Sequence, residues 1–263
     1  MGTATIQGPL WGAKAEDWAL VQEPYWRPLY DEVLRQARAG RHTRMLDVGC
    51  GGGEALLAAL ELGAEPVGLD ASEALVAVAR RRLPKAQIEV GEMEALPFAD
   101  RQFDLVTSFN AFQFAGGLLG ALTESSRVCR PGGAVVMFVW GPPADCDITS
   151  RIVPKVMALL PPAPAGAAAA PAFHQEGVME TWMRKVGLTP ISTKETDRVF
   201  VYPDLETARR ALGAAAPITR AERYAGVIAV QDALCNALSP FLDGDGSLRL
   251  RNRFRYVIAQ QPS

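Results

Sequence analysis

Residues 46–54 read LDVGCGGGE, a strand end running into four closely spaced glycines and then an acidic residue. The glycines give a bend with almost no side chains, so the chain can turn with positive φ and a ligand can approach the main chain. The residues that follow, EALLAALEL, carry a helical pattern. Strand, glycine-rich turn and helix in that order are how open α/β sheets build a nucleotide site at the C-terminal ends of their strands. A dinucleotide fold wants GxGxxG, but Gly49, Gly51 and Gly53 spell GxGxG and Glu54 stands at the third dinucleotide position. A carboxylate at that helix start is a poor neighbour for a pyrophosphate. No GKS or GKT follows to make a P-loop. The turn therefore predicts a ligand without phosphates.

The pattern continues outward from this turn. RMLDVG reads as a first strand and EPVGLD as a second, followed by the helix SEALVAVARRRL with Ser72 as its N-cap. QIEVG is a third strand and FDLVTSF a fourth. LLGALTESSRVCR is a helix, and GGAVVMFVW a fifth strand entered through RPGG. Short apolar strands separated by helices predict an α/β fold whose mostly parallel sheet is covered on both faces. On the N-terminal side, residues 12–39 look helical, with breaks near Pro24 and Pro28. On the C-terminal side, a helix over 177–186 precedes the strand LTPISTKETDRVFVY. Two helices, 204–212 and 218–238, and a last strand SLRLRNRFRYVIAQ complete the pattern, with DGDG at 243–246 supplying the turn. The Pro/Ala-rich stretch 161–172 is expected to be a surface flap.

Composition narrows the function. At 263 residues and a formal net charge of −2, the chain has no electrostatic case for binding nucleic acid. The alternating Arg249, Arg251, Arg253 and Arg255 are expected to line one face of the last strand opposite carboxylates or water. No apolar stretch approaches the ~20 residues of a membrane span, and no secretion signal is legible. Cys50, Cys129, Cys146 and Cys235 are too scattered for a zinc or redox pair. A cytoplasmic protein without a metal site is expected, and both monomer and homodimer remain open.

Four stretches together resemble class I S-adenosylmethionine (SAM)-dependent methyltransferases over residues 44–140: LDVGCGGG, VGLDAS, GEMEALPFADRQFDLV and LTESSRVCRPGGAVVMFVW. The likeness is to the small-molecule branch that includes quinone-biosynthesis and natural-product enzymes. It implies a Rossmann-like, mostly parallel seven-stranded sheet with helices on both faces, an antiparallel last strand and a helical cap. It also implies one domain over 1–263, divided into an N-terminal helical lid (1–40), a SAM-binding core (41–141) and a substrate-side half (142–263).

The resemblance also implies roles. Asp47 would orient the turn and the methionine amino group, and Gly49, Gly51 and Gly53 would let methionine and ribose lie on main chain. Asp70 would hold the ribose with Ala71 beside it, and Glu92 and Met93 would meet the adenine. Ser108, Phe109, Asn110 and Gln113 follow the fourth strand, bordering methionine and acceptor, and Trp11 and Tyr25 are candidates to close over the cofactor. Asn110, Gln113 and His174 are the candidate acceptor contacts, and His174 is the candidate general base. The expected reaction is in-line methyl transfer from SAM, leaving S-adenosylhomocysteine, to O, N or C of a small, partly hydrophobic acceptor. The alternative is a methyltransferase-fold protein that binds SAM for a non-methylating reaction or a binding role.

Overall fold

The structure, a computed structural model, describes residues 2–162 and 171–263. Most of the expected flap, residues 163–170, lies outside them. The N-terminal segment is helical from α1 (Ala4–Trp11), earlier than its pattern indicates, and passes through the single turn α2 (Ala15–Asp17). A π-helical turn (Trp18–Gln22) and a 3-10 turn (Glu23–Trp26) then lead into α3 (Arg27–Gln36). Pro24 and Pro28 occupy the first turns of the last two pieces, where a missing N–H costs nothing, so they start elements and break none.

The core alternates β1 (Arg44–Val48), α4 (Glu54–Glu61), β2 (Glu65–Asp70), α5 (Glu73–Arg82) and β3 (Gln87–Val90). It continues through β4 (Phe103–Phe109), α6 (Leu118–Val128) and β5 (Cys129–Trp140). After β5 come α7 (Val153–Met157), α8 (Val178–Lys185), β6 (Thr189–Tyr202), α9 (Leu205–Gly213), α10 (Ala216–Ala225), α11 (Val227–Leu238) and β7 (Leu248–Gln260). The single helix expected over 218–238 is two, α10 and α11, because Gly226 at φ +89° turns the chain where a helix cannot.

The seven strands run β3-β2-β1-β4-β5-β7-β6, with β7 antiparallel to both of its neighbours. The order departs in both directions from β1, so a crevice opens beyond the C-terminal ends of β1 and β4, where such sheets hold ligands. On one face, α3, α4 and the late helices bury Leu29, Leu56, Leu234, Phe138, Phe254 and Tyr256. On the other, α6 and α8 bury Leu122, Val128, Met179 and Met183 against Leu46, Val106 and Val257. Each fully buried large apolar side chain here stabilises by about 1.5–3 kcal/mol before ordering costs.

The basic alternation on β7 sits opposite carboxylates, as its spacing implies. Arg253 pairs with Asp197 at 2.7 Å and Asp145 at 3.1 Å, and Arg255 with Glu180 at 3.0 Å and Glu195 at 3.2 Å. Ser72 caps α5, its hydroxyl accepting from the Leu75 N–H at 3.2 Å. Ser72→Ala is expected to cost about 1 kcal/mol of stability, read as a lower denaturant midpoint with unchanged slope. An unchanged midpoint would show that Asp70 or solvent takes over the cap. Among the described residues, no helix is long and apolar enough to cross a membrane.

Candidate functional site

The glycine turn is folded around Asp70. The Asp70 carboxylate, at the end of β2, accepts from the Gly51 N–H at 2.9 Å and from the Ser72 N–H at 2.8 Å. It thus ties the turn after β1 to the start of α5. Gly49 and Gly51 adopt φ +83° and +54°. A Cβ on Gly49 would stand 2.3 Å from the Ala111 Cβ, and one on Gly51 2.5 Å from a Glu23 carboxylate oxygen. Neither position admits a side chain.

The same turn is gripped from the N-terminal segment. Buried Glu23 accepts from the Gly52 N–H at 2.5 Å and from Arg82 at 3.0 Å, while Arg82 also donates to the Gly52 carbonyl at 2.9 Å and to the Ala19 carbonyl. Glu23 and Arg82 therefore hold the N–H and the carbonyl of Gly52, on either side of its Cα. Nothing in the glycine pattern announces this pair, since its partners come from segments remote in sequence.

Above the turn lies a cleft lined by Gly49, Gly51, Asp70, Ala71, Met93, Phe109, Asn110 and Trp11, all expected site residues. Gln7, Trp18, Trp26, Tyr30, Leu75, Ala111 and Phe114 also line it, and sequence reading did not single them out. The cleft's free volume is about 80 Å³, less than an adenosine fills. A second cavity of about 220 Å³ adjoins it and shares Trp11, Trp18, Trp26, Asn110 and Phe114. Gln113 lines this second cavity and donates to the Asn110 side-chain oxygen at 3.0 Å. Asn110 has φ +57°, a left-handed conformation that a short polar side chain tolerates and that concentrates at functional sites.

Other expected residues lie outside both cavities. Asp47 is buried behind the turn, accepting from the Thr107 hydroxyl at 2.7 Å. Gly53 starts α4. Ser108, by strand alternation with Val106, faces the α6–α8 layer. Glu92 accepts from the Ala4 N–H at 2.8 Å and so anchors α1. His174 is half-buried beside Phe173, a residue of the α6–α8 layer.

Tyr25 packs on Tyr202, ring centroids 4.4 Å apart, while its neighbour Trp26 takes the cleft wall. Trp11, Trp18 and Tyr25 are seven apart and would share a face of a regular helix. The π-helical turn over Trp18–Gln22 carries an extra residue, which puts Trp26 on that face in place of Tyr25.

Burial dominates the electrostatics. It pushes the Asp47 carboxyl up to about 7 despite the Thr107 hydrogen bond, with Asp70 nearby adding to the rise. Burial also raises Asp70 and Glu23, against the backbone N–H groups that each accepts from. The folded protein thus keeps protons that the unfolded chain has released. Its stability from these groups is fully present below the ordinary carboxylate range and declines as pH rises through about 7. The melting temperature of the free protein is expected to fall between weakly acidic and weakly alkaline pH, and Asp47→Asn to flatten that fall. A melting temperature that climbs over this window would contradict the assignment. Among the described residues, no group of three His, Cys, Asp or Glu side chains is placed to hold a metal.

The strand order, the glycine turn and the carboxylate at the end of β2 define a Rossmann-like class I methyltransferase fold. Residues 46–137 match the family described as a methyltransferase domain. It is 34% identical over 128 residues to an uncharacterized protein of Mycobacterium tuberculosis, 47% of each chain. It is also 37% identical over 105 residues to malonyl-[acyl-carrier protein] O-methyltransferase of Enterobacter lignolyticus, 40% of this chain and 42% of that one. These matches span about half the relatives' length or less. Among solved structures, the YcgJ protein of Bacillus subtilis superposes with a TM-score of 0.59 at 16% identity, over 89% of this chain and 98% of that one.

Proposed function

We propose that the protein transfers the methyl group of SAM to a small, partly hydrophobic acceptor by in-line displacement. The observation that carries this reading is the junction of two cavities: a cleft over the glycine turn and Asp70 opens onto an apolar chamber, with three tryptophans and Asn110 in the shared wall. This junction supports a reading in which a nucleoside and a second molecule lie end to end, as a displacement at a methyl carbon requires. The donor set fits the cofactor. Asp70 is positioned to accept from ribose hydroxyls, Met93 to lie against adenine, and Gly49 and Gly51 to leave room for the amino acid portion. Asp47 lies behind this turn, and the positive amino group of a bound SAM would favour ionisation of its carboxyl. When bound, SAM supplies the electrophilic methyl and its own leaving group. The chain binds, aligns and excludes water, with the N-terminal segment acting as the lid. The likeness to malonyl-[acyl-carrier protein] O-methyltransferase supports the reaction type.

Calorimetry with S-adenosylhomocysteine tests the cofactor, and incorporation of labelled methyl from SAM tests the transfer. Binding of S-adenosylhomocysteine with no response to NAD(H) is expected. No heat with the nucleoside, or a nicotinamide response in its place, would refute the reading.

A further inference from the structure

The wall of the second cavity is unusual for what it lacks. Its lining comes from the N-terminal segment, residues 110–114 after β4, the end of β5, residues 148–153 and the helices α9 to α11, and none of its side chains ionises. Its polar members are Gln22, Asn110, Gln113 and Thr149, together with the indole N–H groups of Trp11, Trp18, Trp26 and Trp140. Three of the four polar side chains are committed within the protein: the Gln22 side-chain oxygen accepts from the Tyr202 hydroxyl at 2.9 Å, and Gln113 donates to the Asn110 side-chain oxygen at 3.0 Å. Residues 163–170, outside the described part, are alanine, proline and glycine only, so they bring no ionisable group either. Two titratable groups line the adjoining cleft, Asp70 and Tyr30. Asp70 is engaged by two backbone N–H groups, and the Tyr30 phenol is held protonated by burial and by the carboxylates of Glu23 and Asp47.

Taking SAM as the cofactor, we propose that this cavity accepts a compact, electrically neutral, ring-bearing molecule that attacks through a weakly basic nitrogen, without a side-chain base. The exclusions follow from elementary energetics. A carboxylate or phosphate would be stripped of water against a wall with no cation, a heavy penalty. A phenol of ordinary acidity, near the tyrosine value of about 10, is ionised in only about one molecule in a thousand at neutral pH, and no group lining the cavity takes its proton. A nitrogen whose conjugate acid titrates below neutrality keeps its lone pair free in water and in the cavity. With the N-terminal segment as it stands, the volume of about 220 Å³ lies below the ~300–1,000 Å³ of common small-molecule sites, which favours an acceptor of one or two fused rings.

The step balances without a base. The nitrogen lone pair forms the bond to the methyl carbon, and the electron pair of the broken carbon–sulfur bond stays on sulfur, which becomes a neutral thioether. The positive charge passes to nitrogen, where the tryptophan faces stabilise it. A secondary amine then loses its proton to water as product leaves.

The test uses the full chain loaded with S-adenosylhomocysteine, titrated by calorimetry with 2-naphthamide and with 2-naphthoate, which match in shape and differ in charge. The amide is expected to bind at least about tenfold more tightly. Equal binding, tighter binding of the carboxylate, or binding of neither overturns the proposal. Labelled SAM with indoline and with 2-naphthol at neutral pH then reads the nucleophile. N-methylindoline is the expected product, and methylation of the naphthol in its place, or no product from indoline, overturns the nitrogen assignment. Failure of S-adenosylhomocysteine to bind at all refutes instead the cofactor reading on which this rests.

Discussion

Asp70→Ala is expected to weaken S-adenosylhomocysteine binding by at least ~100-fold, because two effects combine at one carboxylate. The first is the loss of the acceptor for ribose hydroxyls, with hydrogen bonds to a charged group contributing about 1.5–3 kcal/mol each. The second is internal: the Gly51 and Ser72 N–H groups, which meet the Asp70 oxygens at 2.9 Å and 2.8 Å, lose their partner. The turn then has to be ordered by the ligand, which reduces affinity further. Asp70→Asn separates the two, since its single oxygen still accepts from one N–H while its amide donates. An intermediate loss is expected there. Calorimetry of the three proteins measures both steps, and an Asp70→Ala variant with undiminished affinity would remove the ribose from this site.

Arg82→Leu is expected to destabilise the free protein by about 3–5 kcal/mol at alkaline pH, where Glu23 ionises, the cost of leaving a buried carboxylate without its cation. Glu23 is 2% exposed and has Arg82 and the Gly52 N–H as its partners. With Arg82 gone, the Glu23 carboxyl is pushed higher still, so the folded state binds a proton that the unfolded chain releases. The loss should therefore stay small while Glu23 is protonated in both proteins and grow as pH rises past about 8. Glu23→Gln combined with Arg82→Leu should be more stable than Arg82→Leu alone, since no charge is then stranded. Urea unfolding of the single and double variants across pH measures this, and additive losses at every pH would show that the two side chains do not act as a pair.

Both expectations rest on residues of different legibility. Asp70 is readable in the sequence because its place is fixed by local rules: an apolar strand, an acidic residue at its end, then Ser72 and a helix. Gly49 and Gly51 are readable for the same reason, since a turn with positive φ leaves a mark in composition. Glu23 and Arg82 leave none. They lie 59 residues apart and meet only because α5 and the N-terminal segment pack over the same turn.

The split between Tyr25 and Trp26 is a finer case. A regular helix would send Tyr25 to the cleft, and one π-helical turn sends Trp26 there instead. Glu92 shows the reverse limit: a motif position expected at the adenine has its carboxylate engaged by the Ala4 N–H. The α10–α11 break at Gly226 lay within reach of sequence reading, since an isolated glycine in a helical run is a stop signal.

The sequence by itself determined the α/β alternation, the glycine turn with its paired aspartate, and hence the kind of ligand the sheet edge receives. These depend on periodicity, φ and chemistry within a few residues of each other. The second cavity was decided only by tertiary structure. Its walls are contributed by the N-terminal segment, residues 110–114 after β4, the end of β5, residues 148–153 and three late helices, and its neutrality is a property of their union. No local pattern records which uncharged faces from distant segments will close around one space.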